Sequence, residues 1–210
     1  MSLIRLLLAS LLTLACVSLT AAQNSQDDEL RRMAAEAVFG RQPTTQQPNI
    51  SIPAKRKFDH KIKIKTDYDK FNDTTDVQMM HTEVYNVRGR KISMNALYSY
   101  PGRAPSKPLV VTLAFNSTSP EWQFLRERYF TILAGGRKAG PGRMELINTR
   151  IEDSGRVTET VSMDIPVNDF LFAINSGTVE IQLSGFGVAE FSLSYEQLEA
   201  LRDFASRMQQ

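Results

Sequence analysis

From residue 177 to residue 208 the apolar positions change period in a way that lays out a strand, a turn, a second strand and a helix. Val179, Ile181 and Leu183 alternate with Glu180 and Gln182, the two-residue period of a half-buried strand. Gly185 and Gly187 mark a turn, and Ala189, Phe191 and Leu193 resume the same period beyond it. The spacing then lengthens to about 3.6 residues. Leu198, Leu201, Ala205 and Met208, with Phe204 beside them, form one stripe of a helix that has to lie on something, and a sheet is the available surface. Ser194 is placed to cap this helix, Gln197 completes a capping box, and Leu193 can meet Leu198 as a hydrophobic staple. Glu196 and Glu199 come early and Arg202 and Arg207 late, the order that the helix dipole favours.

Upstream, from His60, the pattern is mostly that of strands. Ile62, Ile64, Thr66 and Tyr68 alternate with Lys61, Lys63, Lys65 and Asp67, which predicts a strand with one solvated face. Runs at 77–87 and 91–100 are joined by Arg88-Gly89-Arg90, a hairpin signal. The apolar run 109–115 predicts a buried central strand, and 129–134 another that ends at Gly135-Gly136. Runs at 144–151 and 157–165 flank a turn at Glu152-Asp153-Ser154-Gly155. Ser119-Pro120-Glu121 has the form of a cap, a first-turn proline and an acidic second position, so a short helix is expected over 120–127, carrying Trp122 and Leu125. Residues 168–176 fit a strand through Phe170, Phe172 and Ile174, or a short helix through Val167, Leu171 and Ile174 capped by Asn168 and stopped by Gly177; the helix is preferred. Many short strands with few helices predict a mainly β fold, an antiparallel sandwich or barrel-like domain with the C-terminal amphipathic helix packed on the sheet.

The first residues follow a different rule. Arg5 supplies a positive n-region, 6–14 an apolar h-region, and Thr20-Ala21-Ala22 a small-residue cleavage site before Gln23, the layout of a Sec-type signal peptide over 1–22. Leu12-Thr13-Leu14-Ala15-Cys16 also resembles the lipobox of bacterial lipoproteins, departing from it at Thr13 and Leu14. Cys16 is the one cysteine of the chain, so cleavage after Ala22 leaves neither a disulfide nor a thiol nucleophile. Next come a short amphipathic helix over 27–38, through Leu30, Met33, Ala34, Ala37 and Val38, and a stretch over 41–53 rich in Gln, Thr and Pro. Residues 23–54 are therefore expected to be a helix and linker ahead of a single β-rich domain over 55–210. The sequon matches at Asn49, Asn72 and Asn116 carry meaning only in a eukaryotic secretory pathway.

Charge narrows the partners. The 25 basic and 23 acidic residues nearly cancel, which gives no electrostatic footprint for nucleic acid. The expected partner is an unidentified envelope or extracellular macromolecule, with membrane contact only through a lipidated Cys16 or an uncleaved signal.

Candidate chemistry is sparse. Asp67, Asp69, Asp73 and Asp76 are dense, but an EF-hand loop would need an oxygen ligand at Phe71, glycine at Asn72 and glutamate at Gln78. They read as strand-end and turn carboxylates, with Asp73 capping a turn. His60 reads as a solvated residue at a strand start and His81 as a hydrogen-bonded sheet histidine in phase with Met79 and Tyr85. The basic stretch 137–143 after Gly135-Gly136 reads as a surface hairpin loop, without the ending of a P-loop, and Gly185-x-Gly187 lacks the third glycine of a dinucleotide site. Alternating lysines at 61–65, with Lys55-Arg56-Lys57, read as a solvated face or protected edge strand. Tyr98, Tyr100 and Trp122 are the aromatics placed to stack on a sugar or anchor a partner, or to be buried at a sheet margin. No catalytic, cofactor-binding or metal residue is assigned, and no cofactor is expected.

Asp73-Thr74-Thr75-Asp76-Val77, Trp122-Gln123-Phe124-Leu125 and the closing strand with its helix over 198–204 resemble small exported bacterial β-domain proteins of an uncharacterised family. The resemblance covers most of 58–208 and implies compartment and architecture, with no activity or binding residue attached. The leading expectation is an exported, non-enzymatic domain with a binding or structural role. Its rivals are a hydrolase using His81, Asp73 and Glu83 from scattered positions, and a small-ligand carrier with an apolar cavity between sheets.

Overall fold

The computed structural model describes residues 51–54 and 56–208; the expected signal peptide with Cys16, the helix over 27–38 and the linker up to residue 50 lie outside them. Ten strands and two helices follow in order: β1 (Ile64–Asp69), β2 (Thr74–Val87), β3 (Arg90–Pro101), β4 (Val110–Ser119), β5 (Tyr129–Ala134), β6 (Arg137–Arg143), β7 (Glu145–Ile151), β8 (Val157–Pro166), α1 (Val167–Asn175), β9 (Val179–Ser184), β10 (Val188–Ser192) and α2 (Tyr195–Ser206). They make a six-stranded sheet, β1-β2-β3-β4-β8-β7, and a four-stranded sheet, β10-β9-β5-β6. Every pairing is antiparallel. This is the two-sheet sandwich that the alternation predicted.

The two-residue period places the core. Ile92, Met94, Ala96, Tyr98 and Tyr100 of β3 and Val111, Leu113 and Phe115 of β4 all face inward and are buried. That face is covered in two parts. Phe115 meets Phe130 of β5 at 5.7 Å and Phe191 of β10 at 6.4 Å between ring centroids, so the small sheet covers one part. Tyr98 meets Phe204 of α2 at 4.8 Å, and Phe204 meets Phe170 of α1 at 6.0 Å, so the helices cover another. Leu198, Leu201, Phe204 and Ala205 of α2, and Met208 just beyond its end, are buried as the stripe predicted. Both bonds of the capping box form, Gln197 N–H to Ser194 Oγ at 3.3 Å and Ser194 N–H to Gln197 Oε1 at 2.8 Å. Gln197 also donates to the Glu83 carbonyl at 2.8 Å, tying the helix start to β2.

Several local expectations are corrected. Residues 120–127 form no helix: β4 continues to Ser119, whose hydroxyl donates to the Glu121 carbonyl, and the amides of Gln123 and Phe124 go to the Glu159 carboxylate. A tertiary partner takes the donors that a first helical turn would have left open. Residues 137–143 are a strand rather than a loop, because the Gly135-Gly136 turn, at φ 55° and 80°, returns the chain against β5. Asn168 does not cap α1, which begins at Val167 straight after β8; its side chain accepts instead from Lys107. β1 begins at Ile64, and on this edge strand Thr66 and Tyr68 are exposed although they share the phase of Ile64.

Charges on α2 also follow tertiary needs more than the dipole. Glu199 is buried at 1% exposure and accepts from Arg56 at 2.8 and 3.0 Å and from Arg202 at 2.9 Å. His60 is not a solvated residue: its side chain is 7% exposed and its Nε2 lies 3.1 Å from Asp203 Oδ2. These contacts hold the extended stretch ahead of β1 against the helices. Lys61 N–H donates to Glu196, and Asn175 donates to the Ser51 carbonyl.

Because α2 covers sheet that would otherwise be wet, Leu201→Ala should lower unfolding stability by about 2–5 kcal/mol, and Leu201→Asp should abolish cooperative folding. Urea unfolding followed by circular dichroism checks both, and a cooperatively folded Leu201→Asp protein would show that α2 is not part of the core.

Candidate functional site

The inner face of the large sheet is apolar along most of its length and turns polar at one end. A tight turn makes the change: Arg88 and Gly89, at φ 50° and 78°, reverse the chain between β2 and β3 and leave Arg90 on the same face as Ile92 and Met94. On β4 the buried phase runs Val111, Leu113, Phe115, Ser117, Ser119, ending in two hydroxyls. On β8, Glu159 stands opposite Ser117 in register and is fully buried. Four polar side chains thus close the end of a hydrophobic core.

Glu159 organises the loop above it. Its two oxygens accept the amides of Gln123 at 2.6 Å and Phe124 at 2.8 Å, which seats Phe124 fully inside the core. From the turn between β9 and β10, Phe186 N–H donates to the Gln123 carbonyl at 2.8 Å. Gly185 packs so close to that carbonyl that a Cβ would overlap it, so the glycine serves close approach. Gly185 N–H bonds the Gly187 carbonyl at 2.9 Å, a turn that leads into β10.

Between this loop and the β2–β3 hairpin lies an open cleft of about 490 Å³. The hairpin contributes Tyr85, Val87, Arg88 and Arg90, and the loop contributes Pro120, Glu121 and Gln123. The Arg90 guanidinium lies 5.3 Å from the Phe124 ring centroid and 6.0 Å from that of Tyr85, within the range for cation–π attraction. Its Nε and Nη2 are buried and have no hydrogen-bond partner among the described residues. Burial pulls its pKa below the ordinary arginine value, opposed by Tyr85 and Glu159, and it remains a cation at neutral pH. A charged fork with two unmet donors can bind an oxyanion.

The positions singled out from the sequence do not gather here. His81 is exposed, because a bulge between Met79 and Thr82 breaks the phase it shared with Met79. Asp73 precedes β2 by one residue, so it stands roughly 26 Å along the chain from His81 at about 3.3 Å per residue. Glu83 is exposed and accepts from Asn86. In the acidic stretch it is Asp69, not Asp73, that caps the turn, accepting the amides of Phe71 at 2.8 Å and Asn72 at 3.4 Å and the Asn72 side chain at 2.6 Å. Asp73 accepts from Tyr68 and Asp76 from Ser99. Tyr98 and Tyr100 are buried in the core and offer no ring to a partner, while Trp122 is half-buried in the loop. Arg56 is committed to Glu199, and the lysines at 61, 63 and 65 are exposed at the β1 edge.

Arg90 and Glu159 were missed, and each carried a signal. Glu159 interrupts the apolar phase Val157, Val161, Met163, Ile165, and Arg90 continues the phase of Ile92 and Met94. A charge on the apolar phase of a strand marks either a buried pair or a site. No protein-family model matches the chain, and no curated protein does.

Glu159→Gln replaces one of the two accepting oxygens by a donor facing a backbone amide, and should cost about 2–3 kcal/mol in urea unfolding while exposing Phe124 to quenchers and protease. At Asp69 the Phe71 amide, followed by the Asn72 side chain, holds the carboxyl below its ordinary pKa. A lowered folded-state pKa stabilises above the unfolded value and is lost as pH falls through the folded one. The melting temperature of Asp69→Ala should therefore lie below that of the unmodified protein at pH 7, and the gap should close below about pH 4. A gap that persists unchanged at pH 2 would remove the carboxylate from the explanation.

Proposed function

We propose that this chain is an exported, non-enzymatic binding domain, periplasmic or secreted, and that the cleft between the β2–β3 hairpin and the 120–128 loop is its binding surface. One observation carries the reading: a charged fork, two of whose nitrogens are buried and have no partner among the described residues, belongs to a residue that lines the cleft. Export is supported by the n-region, h-region and cleavage pattern over 1–22, with lipidation at Cys16 as the alternative processing. A hydrolase built from His81, Asp73 and Glu83 gains no support, because those side chains occupy separate places on β2 and its preceding turn.

Photo-cross-linking in intact cells tests the proposal. A photoreactive residue placed at Gln123, on the cleft wall, should capture a specific adduct, whereas one at Ile147, exposed on the edge strand β7, should not. N-terminal sequencing of the same material should begin at Gln23 if the signal is cleaved and at a modified Cys16 if the chain is lipidated. Adducts at Ile147 but not at Gln123, or a protein retained uncleaved in the cytoplasm, would overturn the proposal.

A further inference from the structure

The chemistry around Arg90 narrows the ligand, and the narrowing rests on the cleft being the binding surface. A guanidinium can be met on its flat faces or at its edges. Two rings lie beside it, Phe124 at 5.3 Å and Tyr85 at 6.0 Å from Cζ. On the Nη1 side is Gly187, whose absent Cβ would come within 3.7 Å of that nitrogen. The other edge carries Nε and Nη2, which are buried and have no partner among the described residues. These two N–H groups are parallel and spaced to meet both oxygens of one carboxylate.

The protein does not fill this edge itself. Glu159 attracts Arg90 electrostatically, yet its oxygens accept the Gln123 and Phe124 amides. Arg156, another guanidinium at this end, donates to the carbonyls of Gly89 and Thr118 and so holds the hairpin turn. Arg90 and the Ser117 hydroxyl are left at this polar end without hydrogen-bond partners among the described residues, and of the two only Arg90 carries charge.

The surrounding charge decides how much negative charge is welcome. Arg88 and Arg90 face the cleft together with Glu121, and Glu159 lies behind. Two cations and two carboxylates accept one further negative charge more readily than two, which disfavours a phosphate dianion. Beside the fork, Tyr85, Val87 and Pro120 offer apolar wall, and Val87 is 45% exposed. We infer that the cleft binds a single carboxylate carried on an apolar or aromatic body, with Arg90 as its bidentate partner after a small side-chain rotation brings the Nε–Nη2 edge to the cleft. A free organic acid and the C-terminal carboxylate of an apolar peptide share this chemistry.

Titration of the full mature chain, read by the Arg90 Nε resonance and the Gln123 amide, separates the cases. The probes are phenylacetate, phenylacetamide, phenyl phosphate, and a tripeptide ending in phenylalanine as free acid and as amide. Carboxylate probes should shift both resonances and bind at least about tenfold tighter than their amides. Preference between phenylacetate and the free-acid peptide identifies the source. Arg90→Lys should weaken carboxylate binding about tenfold or more, because an ammonium cannot form the fork. Glu121→Gln should tighten it by about threefold at low salt, a gain that misfolding cannot imitate. Equal binding of acid and amide, tighter binding of phenyl phosphate, or indifference to both substitutions would overturn the carboxylate assignment. If no probe binds while cross-linking at Gln123 still captures a partner, the carboxylate assignment fails and the binding surface stands. If neither occurs, both fail.

Discussion

A six-stranded sheet presents more apolar face than a four-stranded one can cover, and this mismatch governs the whole domain. β5 and β10 cover the part of the large sheet around Phe115. Tyr98 and its neighbours would remain wet without α1 and α2. The helices are therefore half of the second layer rather than appendages, and burial of Phe170, Leu201 and Phe204 is the condition for the sandwich to exist. The capping box at Ser194 and the Gln197 bond to Glu83 start α2 at the place where that gap opens.

Two buried carboxylates settle how the chain closes at separate places. Glu199 sits on α2 and gathers Arg56 and Arg202, which pins the stretch ahead of β1. Glu159 sits on β8 and gathers two amides, which pins the loop after β4. In each case an ionised group leaves water and recovers its hydrogen bonds from backbone or arginine, the circumstance that makes such burial tolerable. Arg90 differs, since the rings beside it meet the charge but not the donors of its buried Nε–Nη2 edge. Other buried polar atoms also lack a partner among the described residues, such as the Tyr98 hydroxyl and Arg207 Nε, but Arg90 is the residue with two such donors on one guanidinium beside a cleft.

Much of the fold was legible because periodicity reports burial directly. The strands β2 to β5 and β7 to β10, the turn at Arg88-Gly89 and α2 with its cap all follow from residue types and spacing. The failures share a cause, which is a partner far away in sequence. Ser119-Pro120-Glu121 has the local form of a helix start, yet Glu159 takes the amides at 123 and 124. His60 stands beside charged neighbours in sequence and beside Asp203 in space. His81 keeps step with Met79 until a bulge shifts the phase. The candidate site was half legible: charges at 90 and 159 break apolar phases, but no spacing rule shows that one is satisfied and the other is not.

The sequence by itself determined the class of fold and the closing unit, because alternation, a change of period and a capping box act over a few residues and need no distant partner. It also determined the pattern over 1–22 that argues for export. Only the tertiary structure decided that α2 and the small sheet share one covering layer, that Glu199 is a buried hub, and that Arg90, Glu159 and the 120–128 loop meet at one end of the core. The physical reason is range. Hydrophobic patterning is local and survives in the linear order of residues, whereas the worth of a charge depends on which groups surround it in space. Those groups come here from strands that are neighbours only after the sheets have formed.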